Sequence, residues 1–237
     1  GLLALKHLLC PAARAAAGTA AMWSMLGLIP MLLLSGFAAA RAMGAKRVKS
    51  GGPYVEAVRE LAARAKVPMP FVYAGESTGA PNAFASGLIQ SLSVVALKGY
   101  ITRLLSVREM RAVLGHELSH VKYRHMLSLS AAIGLSQLVS GGAAALLQMT
   151  LGYWVPLLWM IGLMSLIRAN ERMADAGAAK LTGDPRALAT GLRKMALIGM
   201  EKEDVPQAEG SWLHRLLLSH PTVWERVQTL GRMLKKP

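Results

Sequence analysis

Two stretches of the chain, residues 15–40 and 126–167, contain no Asp, Glu, Lys or Arg, whereas polar and apolar positions alternate regularly elsewhere. A bilayer core needs about 20 apolar residues, so residues 15–40 predict one transmembrane helix, with Pro30 as a mild kink. The second stretch would be roughly twice the hydrocarbon thickness as a single helix. It predicts a hairpin of two spans near 127–147 and 152–168, with Gly141-Gly142 and Gly152 as candidate turn or close-packing points. A hairpin returns the chain to the side it left. Residues 41–125 and 168–237 then share one compartment and can build one domain.

Outside these stretches the pattern is that of a folded domain. Pro53 to Ala65 has the spacing of an amphipathic helix, which Val67-Pro68-Met69-Pro70 breaks. Phe71 to Ala74 and Ser93 to Leu97 read as short strands, with Gly75 to Ala83 as a loop between them. Ser106 and Glu109 form a capping-box pattern that starts another helix. Thr182-Gly183-Asp184-Pro185 closes one helix and caps the next, with Pro185 at its first position. The expected division is a stub (1–14), a transmembrane helix (15–40), a basic linker (41–52), the first part of a folded domain (53–125), a transmembrane hairpin (126–167) and the second part of that domain (168–237).

Composition agrees with a lipid-embedded fraction: 53% of residues are hydrophobic, 17% are charged and mean hydropathy is +0.36, against about 25% charged in ordinary soluble domains. The net charge of +14 raises a nucleic-acid partner. Aromatics are only 5%, and no basic stripe or nucleic-acid motif accompanies them, so attraction to an anionic leaflet is the better fit. Arg41, Lys46, Arg47 and Lys49 follow the first apolar stretch directly, which by the positive-inside rule makes that side cytoplasmic. The expected location is the cell (inner) membrane, multi-pass, with the folded domain in the cytoplasm. The single cysteine, Cys10, precludes an intramolecular disulfide and suits a reducing compartment.

The chemistry is announced by His116-Glu117-Leu118-Ser119-His120. Four residues make about one helical turn, so both imidazoles project from one face and can grip one metal ion, with Glu117 placed as a base. A catalytic zinc takes three protein ligands and leaves one position open. His125 is near, but it lies five residues after His120, where a long metzincin motif requires six. It reads as a surface or membrane-interface histidine. Glu171 and Asp175, four residues apart, emerge as the hairpin returns to the motif's side. One can complete the metal shell, and the other can hydrogen-bond the free nitrogen of a ligand histidine and fix its tautomer.

These residues, with Pro81 to Gly87, Val94-Val95-Ala96, Val113 to Lys122, Glu171 to Ala178, Ser219-His220-Pro221 and Arg226, resemble the HtpX-type membrane zinc metalloproteases, which are related to the CAAX prenyl proteases. The resemblance covers most of the chain after about Val67. It implies a mainly α fold with a small β-sheet: a zincin-like catalytic domain interrupted by a transmembrane helical hairpin, preceded by an N-terminal transmembrane helix. It also implies Glu171 as the third ligand of one Zn²⁺ per chain, Asp175 as the residue that orients a ligand, and His220 near the active site as support for substrate or oxyanion.

The expected reaction is hydrolysis of peptide bonds in misfolded or membrane proteins, a protein quality-control activity, with Glu117 as general base. Substrate is expected to extend along an edge strand, either Asn82 to Ser86 or Ser93 to Leu97, with Asn82, Ala83 and Phe84 as contacts. Arg103, Arg108, Glu109, Arg111, Lys122 and Arg124 flank the motif and place it outside the hydrocarbon. The rival reading is a catalytically silent membrane scaffold, a pseudoprotease of the same fold. Partners are protein or peptide substrates and the lipid bilayer, with no nucleic acid; the sequence leaves the oligomeric state open.

Overall fold

The computed structural model describes residues 33–75, 81–146, 154–199 and 220–234. It begins in a helix, α1 (residues 33–42), and continues through a short strand, β1 (Lys46–Arg47), into α2 (Pro53–Ala65), where the sequence pattern predicted a helix. Pro53 starts α2 in the first turn, where a missing N–H costs nothing, and Lys66 ends it in the left-handed conformation. Three strands follow: β2 (Phe71–Gly75), β3 (Asn82–Ser86) and β4 (Val94–Lys98).

The sheet order is β1-β2-β4-β3, with β2 and β4 parallel and the outer pairs antiparallel. Of the two segments expected to offer an edge, this order leaves one at an edge. Ser93 to Leu97 lies largely in β4, which is hydrogen-bonded on both sides, whereas Asn82 to Ser86 is β3 at the sheet edge. Both ends of the expected loop over Gly75 to Ala83 are therefore strand, because pairing with β4 captures Gly75, Asn82 and Ala83; residues 76–80 lie outside the described residues.

Every residue from Val94 to Leu97 is buried, as a central strand covered on both faces requires. Val95 and Leu97 join the main core with Val58 and Leu61 of α2, while Val94 and Ala96 face a second cluster with Ala40 of α1 and Tyr73. Full burial of each such valine or leucine contributes about 1.5–3 kcal/mol.

After a short helix, α3 (Ile101–Leu104), the motif helix α4 runs from Val107 to Lys122. Its capping box forms as predicted: Ser106 accepts from the Glu109 N–H, and the Glu109 carboxylate accepts from the Ser106 N–H. Lys194 of a later helix also donates to Glu109 at 2.8 Å, tying the start of α4 to the rest of the domain.

The expected membrane hairpin corresponds to α5 (His125–Leu146) and α6 (Trp154–Thr182). Among the described residues, no helix is long and apolar enough to cross a membrane. Most of the expected span over 15–40, and the connection at 147–153, lie outside the described residues. The first arm follows expectation: α5 covers the segment placed near 127–147, with Gly141 and Gly142 inside it rather than at a turn. The second arm differs, since α6 does not stop near 168 but carries its helix through Glu171 and Asp175 to Thr182. Charged residues begin at Arg168 without ending the helix, since they are good helix formers and Arg168 donates back to Ser165 at 2.8 Å.

The second half of α6 packs directly against α4. The approach is close because both helices present small residues: a Cβ at Gly115 would lie 2.9 Å from Thr182, and one at Gly177 would collide with Ser119. Two helices complete the described fold, α7 (Pro185–Gly199) and α8 (Val223–Met233). Leu188 and Leu192 of α7 and Leu230 of α8 are buried in the main core.

Candidate metal centre and active site

Helix α4 supplies His116, Glu117 and His120. All three lie on the side turned to α6 and β3, and His116 and Glu117 are 6% and 7% exposed. Helix α6 supplies Glu171 and Asp175, one turn apart and also buried. The Gly115 and Gly177 contacts bring the two helices near enough for these side chains to meet. His116 Nε2 lies 3.1 Å from His120 Nε2, and Glu171 reaches the two nitrogens at 3.5 and 3.6 Å.

His116, His120 and Glu171 form a group of three potential metal ligands. Tetrahedral bonds of about 2.0–2.1 Å separate ligand atoms by roughly 3.3–3.5 Å, so the observed spacings suit one small divalent ion. Two imidazoles and one carboxylate are also the donor set of a catalytic site with an open position. Asp175 does not join this set. Its Oδ1 lies 3.0 Å from His116 Nδ1, the nitrogen facing away from His120 and Glu171.

Arg226 of α8 closes the site from the other side. It makes two bonds to Asp175, Nη2 to Oδ1 at 2.7 Å and Nε to Oδ2 at 3.0 Å, and its Nη1 lies 3.3 Å from Glu171. His220 stands at the rim, 63% exposed at its side chain, with Nδ1 3.5 Å from Glu171. Asn82, Ala83 and Phe84 of β3 line the same cleft.

Two features of the site are not legible in the pattern of the sequence. Arg226 stands out only as part of the family resemblance, although its guanidinium contacts both Glu171 and Asp175 of α6. The expectation for His125 is wrong in environment. It is not a surface residue but 5% exposed, with Nδ1 2.9 Å from Nδ1 of His120. On a continuous helix a residue five positions after His120 points well away from it. Here Arg124 adopts a left-handed conformation (φ 53°) between α4 and α5, and the reversal brings His125 back.

The buried charges shift one another. Burial alone would lower His116, but hydrogen bonds to Asp175 and Glu171 carry it up to about 9. Burial lowers His120 to about 3, helped by the positive His116. Glu171 overcomes its burial and falls to about 2, because His116, Arg226 and His120 favour its charge. Glu117 is raised, chiefly by burial, against the opposing pull of His116. The backbone amide of Ala85 in β3 faces the Glu117 carboxylate and favours its charged form.

Because ligation needs a neutral imidazole, metal uptake at neutral pH must displace the His116 proton. We expect roughly one proton to be released per metal bound at pH 7, and apparent affinity to rise about tenfold per pH unit until the His116 value near 9. Calorimetric zinc titrations in buffers of different ionisation enthalpy check this; proton-neutral binding at pH 7 would contradict it.

Residues 53–234 match the sequence profile of "Peptidase family M48". The chain is 34% identical to "Protease HtpX homolog" of Burkholderia cenocepacia (strain HI2424), over 75% of this chain and 73% of that protein. It is 38% identical to the protein of the same description from Methylibium petroleiphilum, over the same shares. The fold is similar to that in "Crystal Structure of S. mikatae Ste24p", with a TM-score of 0.62 at 18% identity, covering 88% of this chain and 56% of that one.

Proposed function

The chain belongs to peptidase family M48, and on that premise we propose that it is a membrane-bound zinc endopeptidase acting on misfolded or membrane proteins at the cytoplasmic face. The observation that carries this reading is the convergence of His116, His120 and Glu171 beside a buried Glu117 and an edge strand. The catalytic unit is built from residues 53–125 and 168–237, with the hairpin 126–167 between them. Exposed apolar side chains along α5 and α6, among them Ile133, Leu135, Leu158 and Met160, support contact with a bilayer. Release of the protein from membranes by alkaline carbonate washing would count against that anchoring.

His116, His120 and Glu171 would hold the metal, and Asp175 would fix His116 by accepting from its Nδ1–H. A zinc ion held there would supply Lewis acidity toward the scissile carbonyl and the attacking water. Glu117 takes the proton of that water and returns it to the leaving amine. Burial raises Glu117 above the ordinary carboxylate value, which makes its charged form a stronger proton acceptor. His220, at the rim, supports the substrate carbonyl as charge develops there.

Substrate adds to the open edge of β3. The Ala85 amide points to Glu117 rather than to β4. Alternation along a paired strand then turns the Ala83 N–H outward as well, toward the cleft. The test is casein degradation by detergent-purified protein. Activity should disappear on chelation and return with one equivalent of zinc, and Ala83→Pro should raise KM more than it lowers kcat. Degradation that survives complete removal of metal would sink the zinc reading. An unchanged KM in Ala83→Pro would sink the strand reading.

A further inference from the structure

Each histidine of the motif has a second nitrogen that must be held if the first is to face a metal. For His116 that partner is Asp175, at 3.0 Å from Nδ1. For His120 the equivalent position is filled by His125, Nδ1 to Nδ1 at 2.9 Å. His125 is itself held in place. Its ring stacks on Tyr123 at 5.7 Å, and its carbonyl accepts from Ser128 at 2.9 Å. Its other nitrogen, Nε2, is buried without a hydrogen-bond partner among the described residues. A residue needed only to fill this space would more cheaply be apolar, because a buried unpaired polar atom is destabilising.

One N–H lies between two facing nitrogens, so two arrangements compete. If His125 donates, the His120 proton sits on Nε2 and that nitrogen has no lone pair to offer. If His120 donates from Nδ1, its Nε2 lone pair is free and points at His116 Nε2 and Glu171. We propose that His125 is a positioning residue, accepting at Nδ1 the proton of His120 Nδ1 and so holding His120 in the tautomer that ligates metal. The inference rests on the metal-site reading above. It makes the chain reversal at Arg124, outside the five-residue motif, part of the metal centre.

The test uses the whole protein with zinc as the probe. His125→Phe keeps the ring and removes the acceptor; His125→Asn places an amide oxygen near the position of Nδ1. The readouts are the zinc dissociation constant by chelator competition, the visible spectrum of the cobalt-substituted protein, and Tm of the metal-free protein. His125→Phe should weaken zinc on the order of 10–100-fold and change the cobalt spectrum, with metal-free Tm held or raised. His125→Asn should recover most of the affinity. Zinc binding by His125→Phe equal to that of the parent overturns the proposal. So does equal loss in both variants together with a fall in metal-free Tm, which would make His125 structural. A parent that binds no zinc would instead remove the metal-site reading itself, and the positioning role with it.

Discussion

Glu117→Gln should lower casein hydrolysis on the order of 10²–10⁴-fold, the usual contribution of a positioned general base, while zinc content stays at one per chain. The substitution is nearly isosteric, so helix α4 and the contacts of His116 and His120 are left in place. What it removes is the capacity to accept a proton from water, and the buried, raised carboxyl of Glu117 is suited to that transfer. The amide can still face Ala85, so packing against β3 survives. Activity of the variant within a few-fold of the parent would show that Glu117 is not the base. Silence of both proteins, each with one zinc bound, would favour the scaffold reading.

The second large effect concerns Arg226. Replacing it with methionine should lower stability by about 3–5 kcal/mol, the cost of breaking a buried ion pair from one side. The side chains of Asp175 and Arg226 are 3% and 12% exposed, so water cannot replace the lost guanidinium. Asp175 would keep His116 as a partner but lose both bonds from α8, and Glu171 would lose a neighbouring cation. At roughly 2–4 °C per kcal/mol for a domain of this size, Tm should fall by about 6–20 °C. Arg226→Lys should retain part of the stability through a single contact. A shift below about 2 °C in Arg226→Met would mean that α8 is held by its apolar face alone, through residues such as Leu230.

The two predictions differ in how visible their residues are along the chain. Glu117 is marked by its neighbours: His116 and His120 at helical spacing, inside a helix whose capping box at Ser106 and Glu109 is also written locally. The bounds of α2, the strand at Phe71 and the helix start at Pro185 are local in the same sense. Arg226 has no such mark, because its partner Asp175 lies far away in sequence and on another helix. Likewise the choice of Asn82 to Ser86 as the open edge depends on β4 pairing with both β2 and β3.

One helical turn or one strand is enough to specify the spacing of His116 and His120, the place of Glu117 beside them, and the two carboxylates of α6 one turn apart. Those relations are set by backbone geometry over a few residues. Which carboxylate meets which histidine is set by the packing of α6 on α4. That packing sets Glu171 against both ring nitrogens that face each other, and Asp175 against the outer nitrogen of His116. Tertiary structure also brings Arg226 and His125 into the site, one through the packing of α8 and the other through the left-handed residue at Arg124. Such contacts depend on how helices approach and where the chain reverses, and the fine distances at Gly115 and Gly177 that allow the approach are properties of two surfaces together rather than of either sequence segment.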